Sequence, residues 1–285
     1  MPTLRELIGP GSAPLVLPGA ANALTARIIA DLGFPALYLS GAGITNTELG
    51  LPDLGFITLD QLSLHVARVC NVVDAAIVVD CDTGFGNALN VAHTVRVLER
   101  SGANALQFED QVFPKRCGHF DGKQVTSAGE MVSKIKAAVD VRSSEDLLII
   151  ARTDALAASG FDEAIERARA YEEAGADIIF IEALESRMEI EEAPRHFNVP
   201  LLINMVEGGR TPMIELDELA TLGYSVVLYA NSAMRAAISS MQLVLKNLLE
   251  TGSTAAVIDH IAPWSERQRL VDKPHFDDME RRYAV

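Results

Sequence analysis

One repeated pattern constrains the fold of this chain more than any other feature. Four segments, Asp31–Ser40, Arg100–Glu109, Glu173–Glu182 and Thr221–Ala230, read alike: the end of an amphipathic stretch, a glycine, then an apolar run. The glycines are Gly33, Gly102, Gly175 and Gly223. Each stands where a helix wants a left-handed C-terminal residue, which glycine adopts without a Cβ clash. Each apolar run ends seven residues after its glycine, at Ser40, Glu109, Glu182 and Ala230. A helix feeding a buried strand, repeated along the chain, makes parallel βα units.

Four further apolar runs, Leu15–Leu17, Ile77–Val79, Leu147–Ala151 and Leu201–Ile203, bring the expected strands to eight. Helices are expected over Ala23–Leu32, Leu59–Val69, Val91–Ser101, Glu130–Val141, Asp162–Ala174, Met188–Phe197, Asp217–Leu222 and Ala233–Glu250. Eight such units in this length have the rhythm of an α/β (β/α)8 TIM barrel. A doubly wound open sheet would normally carry a Gly-rich phosphate loop after its first strand. Pro18-Gly19-Ala20-Ala21-Asn22 stands there instead, so the barrel is preferred. No linker divides the chain, which reads as a single domain over 1–285, with 252–285 a C-terminal helical extension. The charged tail holds Trp264 and a helical stretch at Phe276–Tyr283, suited to docking on its own barrel or on another subunit.

Composition narrows the partners. Apolar residues make up 49% of the 285 and charged residues 22%, enough for a large core. A net charge of −15 argues against nucleic acid and against an anionic membrane surface, both of which want a basic face. No run approaches the roughly 18 apolar residues of a membrane span. Cys70, Cys81 and Cys117 are odd in number and form no CxxC pair, which suits a reducing compartment. With no basic and apolar leader in MPTLRELIGPGSAP, a cytoplasmic protein is expected.

Barrel chemistry gathers at the C-terminal ends of strands. Those ends carry Tyr38 and Ser40, Asp80 and Asp82, Glu109 and Asp110, Arg152 and Asp154, Glu182, Asn204, and Tyr229. Nearly every one can bind a metal or an oxyanion. Period-two alternation sets Asp80 and Asp82 on one side and turns Cys81 to the other. Asp80, Asp82 and Glu109 form a hard-oxygen set without histidine, which suits Mg²⁺ or Mn²⁺ rather than zinc. The bland alternative is that Asp82 merely caps the next helix. The polar loop Lys115-Arg116-Cys117-Gly118-His119 brings local positive charge, able to hold an anionic substrate and to depress the Cys117 thiol. Cys70 and Cys81 read as small buried apolar groups.

Three motifs then carry a resemblance: Val79–Gly86, Glu109-Asp-Gln followed by Lys115–His119, and Ile150–Ala155. With Tyr38–Gly43, Leu51–Gly55 and Asn204–Gly209, they are similar to the isocitrate lyase and phosphoenolpyruvate mutase superfamily over about Leu4 to Thr251. The resemblance implies a Mg²⁺-dependent barrel acting on small anionic 2-oxo or 2-hydroxy acids through enolates. It also implies a homotetramer, a dimer of dimers, whose eighth helix and C-terminal helices pack on a neighbouring subunit.

Within that superfamily, the Cys-containing loop resembles the C–C lyases of isocitrate, 2-methylisocitrate, 2,3-dimethylmalate and 2-alkylmalate. It implies retro-aldol cleavage of a 2-hydroxy dicarboxylate. Asp80 would then hold the metal directly, with Asp53, Asp82 and Glu109 acting through water. Ser40, Gly41 and Ala42 would cradle the substrate carboxylate, with Lys115, Gly118 and His119 beside it. Tyr38 would be the base or its relay. Arg152 would meet the enolate, Glu182 and Asn204 would orient the departing acid, and Cys117 would protonate the carbanion. The chain departs from many lyases in carrying Ala230-Asn231-Ser232 after the eighth strand. A carboxyphosphoenolpyruvate phosphonomutase, an oxaloacetate hydrolase or decarboxylase, and a non-catalytic scaffold stay open as alternatives.

Overall fold

The computed structural model describes residues 2–116, 118 and 122–284. Eight parallel strands close into a barrel in chain order: β1 Leu15–Ala20, β2 Ala36–Leu39, β3 Ala76–Asp80, β4 Ala105–Glu109, β5 Leu148–Thr153, β6 Ile178–Ile181, β7 Leu201–Asn204 and β8 Val226–Tyr229. β1 closes on β8, with Leu17 opposite Leu228. The fold is the expected (β/α)8 barrel.

Alternation along each strand sorts the side chains into two layers. Leu17, Tyr38, Val78, Ile150, Phe180 and Leu228 fill the barrel interior. Leu39, Val79, Phe108, Ile149 and Ile203 point outward to the helices. The outer layer is dry, with Phe108 and Ile135 fully buried. At about 1.5–3 kcal/mol for each large side chain buried, this layer is the main source of stability. Cys81 joins it, and Cys70 is half-buried against it. Burial pushes both thiols up, so neither is a reactive thiolate.

Helix starts follow capping chemistry. Thr58 and Gln61 form a reciprocal capping box ahead of Leu59–Cys70, and Ser186 and Glu189 do so ahead of Arg187–Glu192. The helix ends obey the glycine pattern: Gly33, Gly102, Gly175 and Gly223 have φ of 91°, 103°, 102° and 101°. Several elements were not foreseen. After β2 the chain forms a short helix, Gly41–Ile44, and a π-helical turn, Thr45–Leu49. Its glycines hide any periodicity. The expected helix Met188–Phe197 is an α-helix over Arg187–Glu192 continued by a 3₁₀ turn over Ala193–His196, and the tail gains a helix at Trp264–Leu270. Among the described residues no helix is long and apolar enough to cross a membrane.

The helix Ser232–Thr251 has no buried residue, and Met241, Leu245 and Leu249 are 54%, 61% and 87% exposed. So much apolar surface on one long helix calls for a partner. Sedimentation velocity at micromolar concentration is expected to show an oligomer of this chain. A monomer would refute that expectation.

Candidate active site

The C-terminal ends of the strands meet around a cavity of about 290 Å³. Tyr38, Ser40, Ala42, Asp53, Asp80, Gly118, Arg152, Glu182 and Asn204, nine of the residues singled out above, line it together. Gly41, Asp82, Glu109 and Lys115 stand behind them. Cys117 and His119 lie outside the described residues. A larger cavity of about 950 Å³ opens at the other end of the barrel. Its Asp177 is structural, paired with Arg5 at 2.7 Å and with Arg142 at 2.5 Å.

Asp80 ends β3, facing inward after Val78. Its Oδ2 accepts from Gly41 N–H at 3.1 Å and its Oδ1 from Asp82 N–H at 3.2 Å. Among the described residues it makes no ion pair. Asp82 lies past the strand, with φ of 48°, so it joins Asp80 through a left-handed turn rather than by continued alternation. It is no cap: Asn87 caps the helix Ala88–Arg100, accepting from Leu89 N–H at 2.9 Å and Asn90 N–H at 3.4 Å. Gly41 keeps this corner open: a Cβ would sit 3.1 Å from Asp82 Oδ1 and 3.3 Å from Asp80 Oδ2, and the two carboxylates would have to give way slightly.

Lys115 was expected to offer charge to an anionic substrate. It turns inward instead, its ammonium 2.6 Å from Asp53 and 2.7 Å from Asp82. Buried carboxylates attract the nearest cation because leaving them uncompensated costs several kcal/mol. Burial, reinforced by Asp80 and Asp53, still pushes Asp82 up to about 7 despite that lysine.

Arg152, at the inward end of β5, draws three acids together. Its Nε and Nη2 donate to Asp154 Oδ2 and Oδ1 at 2.9 and 3.0 Å. Its Nη1 lies 3.3 Å from Glu182, and its Nε lies 3.4 Å from Glu109. The guanidinium also stacks 5.4 Å from the Phe180 ring. Burial holds Glu109 well above the carboxylate range, against the pull of Arg152. Asp154 shows the opposite balance: burial acts to raise it, but Arg152 and Lys123 bring it to about 2. Burial, then Asp80, lifts the Tyr38 phenol well above its ordinary value, so it is a proton donor at neutral pH.

Below this layer Asp110 fastens three elements. It accepts from Thr153 Oγ1 at 2.8 Å, Asp154 N–H at 2.9 Å and Tyr171 Oη at 2.8 Å. The loop after β4 is clasped at its base, where Val112 N–H donates to Gln124 O and Gln111 Nε2 to Arg116 O, each at 2.8 Å. Lys123 and Arg235 escaped the reading of the sequence. Lys123 lies beyond the Cys117 motif, and Arg235 reaches the cavity mouth from the helix Ser232–Thr251, paired with Glu207 at 3.0 Å.

The donors suit a hard cation. Among the described residues Asp80 stands at the cavity wall with no ion pair, and Glu109 Oε1 is buried with no hydrogen-bond partner. No three Asp, Glu, His or Cys side chains among those residues are arranged to bind a metal directly.

Comparisons with known proteins agree on the family and the fold. The model of the family described as phosphoenolpyruvate phosphomutase matches residues 4–249. A 2-methylisocitrate lyase of Aeropyrum pernix is 46% identical over 281 residues, covering 99% of this chain and 89% of that protein. A 2,3-dimethylmalate lyase of Eubacterium barkeri is 44% identical, covering 99% and 97%. The crystal structure of a 2,3-dimethylmalate lyase superposes with a TM-score of 0.92 at 32% identity, covering 100% and 96%. A phosphonopyruvate hydrolase solved with oxalate and Mg²⁺ superposes with a TM-score of 0.85 at 29% identity, covering 95% of each chain.

Proposed function

This chain belongs to the phosphoenolpyruvate mutase and isocitrate lyase superfamily and is a C–C lyase within it, and from that premise we propose that it cleaves a 2-hydroxy acid of the 2-alkylmalate, 2,3-dimethylmalate or 2-methylisocitrate type. The observation that carries the proposal is Arg152, held by Asp154 beside Glu182 at the wall of a cavity sized for a small acid. A guanidinium so oriented is ready for negative charge that develops during reaction.

The chemistry is a retro-aldol cleavage. A base removes the proton of the 2-hydroxyl, the C2–C3 bond breaks, and C2–O becomes the carbonyl of a 2-oxo acid. The electron pair stays on C3 as the enolate of the departing carboxylic acid, beside Arg152. Cys117 then gives its proton to C3. Tyr38, protonated at neutral pH, serves as a relay for the first proton rather than as the resting base. Ser40 and the backbone around Gly41 and Ala42 seat the carboxylate next to the 2-oxygen, with Gly118 and His119 flanking it. Glu182 and Asn204 orient the other fragment, the Asn204 amide through its N–H donors to a carboxylate oxygen.

Asp80 would hold Mg²⁺ or Mn²⁺ directly, with Asp53, Asp82 and Glu109 in support through water. When bound, such a cation supplies positive charge that favours ionisation of the 2-hydroxyl. EDTA is therefore expected to abolish activity and Mg²⁺ or Mn²⁺ to restore it; turnover surviving thorough chelation would sink the metal assignment. The test of the function is a panel of malate derivatives and oxaloacetate with Mg²⁺, assayed for pyruvate and glyoxylate. Pyruvate from an alkylmalate, dimethylmalate or methylisocitrate supports the proposal, and turnover of none of them overturns it.

A further inference from the structure

We infer that Lys123 is a positioning residue for Arg152, acting through Asp154 and anchored on the Gly118 carbonyl; this rests on the lyase reading, in which Arg152 meets the enolate. The Lys123 ammonium donates to Asp154 Oδ1 at 2.7 Å and to the Gly118 carbonyl at 2.6 Å. Both partners of the ion pair are inaccessible, with side-chain exposures of 1% and 0%. Asp154 meets the fork of Arg152 with its two oxygens and is itself fixed by its N–H to Asp110. Gly118 presses on the same group, since a Cβ there would lie 2.6 Å from Arg152 Nη2 and 2.5 Å from Glu182 Cδ.

Arg152 has three carboxylates to choose from: Asp154, Glu182 and Glu109. A bidentate fork on Asp154 fixes the plane of the guanidinium, and the other two contacts are longer. That fork holds its angle only if Asp154 cannot swing. Lys123 pins one of its oxygens and uses a second donor on Gly118, so the backbone beside Arg152 and the acid holding it share one ammonium. An unpaired Asp154 would pull Arg152 deeper and turn it from the reacting carbon. The loss would fall on the transition state, where small errors of orientation cost most.

Lys123→Ala is expected to lower kcat about 30-fold while KM changes less than about threefold, the pattern of an interaction made in the transition state. Propylammonium, which replaces the missing stem and charge, is expected to recover part of that loss, and 1-propanol is not. Equal recovery by the two would mean that Lys123 only fills space, and the inference would fall. A kcat within threefold of wild type would also overturn it. Lys123→Gln keeps two donors and is the milder variant should the alanine chain not fold; about a tenfold loss in kcat is expected, and none overturns the inference. Oxalate, a planar dianion shaped like a two-carbon enolate, supplies a readout without turnover. Its affinity by calorimetry should fall about tenfold in Lys123→Ala and return with propylammonium. A wild type that binds oxalate but cleaves no 2-hydroxy acid would defeat the lyase reading and leave this test standing.

Discussion

Arg152→Lys lowers kcat by about 10²–10³-fold and leaves the protein folded: that is the expected result, of the size seen when one donor to a developing oxyanion is lost. Lysine keeps the positive charge, so Glu109 and Glu182 retain a cation and Asp154 retains Lys123. What disappears is the fork. A point-like ammonium cannot bind both oxygens of Asp154 in one plane while presenting a further N–H to Glu182 and the substrate. Thermal melting beside steady-state kinetics separates the two effects. A melting temperature near wild type with kcat down by two orders of magnitude supports the assignment. A kcat within threefold of wild type would remove Arg152 from the chemistry.

Cys117→Ser is the second large effect, with an expected loss of about 10²–10⁴-fold, the usual worth of a positioned general acid. A serine hydroxyl is nearly the same size as the thiol but a far weaker acid. Binding of the 2-oxo acid should survive, because the contacts proposed for it are with Ser40, the metal-holding carboxylates and Arg152 rather than with Cys117. If Cys117 only packs its loop, so close a substitution leaves the rate nearly normal. A phosphonomutase, which moves phosphorus, would depend less on this proton. Single-turnover cleavage measured beside pyruvate affinity decides among these. A serine variant within threefold of wild type, about 0.7 kcal/mol in barrier, excludes Cys117 as the acid.

The fold was legible because it is written in short-range patterns. Glycine after each helix and apolar runs of fixed length locate the strands, and alternation then places Asp80, Glu109, Arg152 and Glu182 at the inner rim. The same alternation sets Asp82 beside Asp80, but for a reason that does not hold: the strand ends at Asp80, and Asp82 itself adopts the left-handed conformation that keeps it in the cluster. Nor could alternation say where long flexible cations end. Lys115 reads as a loop charge, yet it lies under Asp53 and Asp82 because buried acids recruit it from a distance in sequence. Lys123 and Asp154 are separated by 31 residues and touch only in the folded chain, so no spacing announces them. The helix Gly41–Ile44 was missed for a different reason: glycine has the lowest helix propensity after proline, and Ser40 caps it only weakly, with its Oγ 3.3 Å from Gly43 N–H.

The four left-handed glycines have a further consequence. They precede β2, β4, β6 and β8, alternate staves of the barrel, and alternate strands supply one layer of the interior. The seven residues from glycine to strand end therefore act as a gauge, bringing Ser40, Glu109, Glu182 and Ala230 to equivalent stations on the rim whatever the length of the helix before them. An added residue upstream of Gly102 can be absorbed in the helix. One added between Gly102 and Glu109 would push the carboxylate along by about 3.3 Å and turn it to the outer layer. Tolerance of insertion should change abruptly across each of these glycines, and the chemistry sits on the intolerant side.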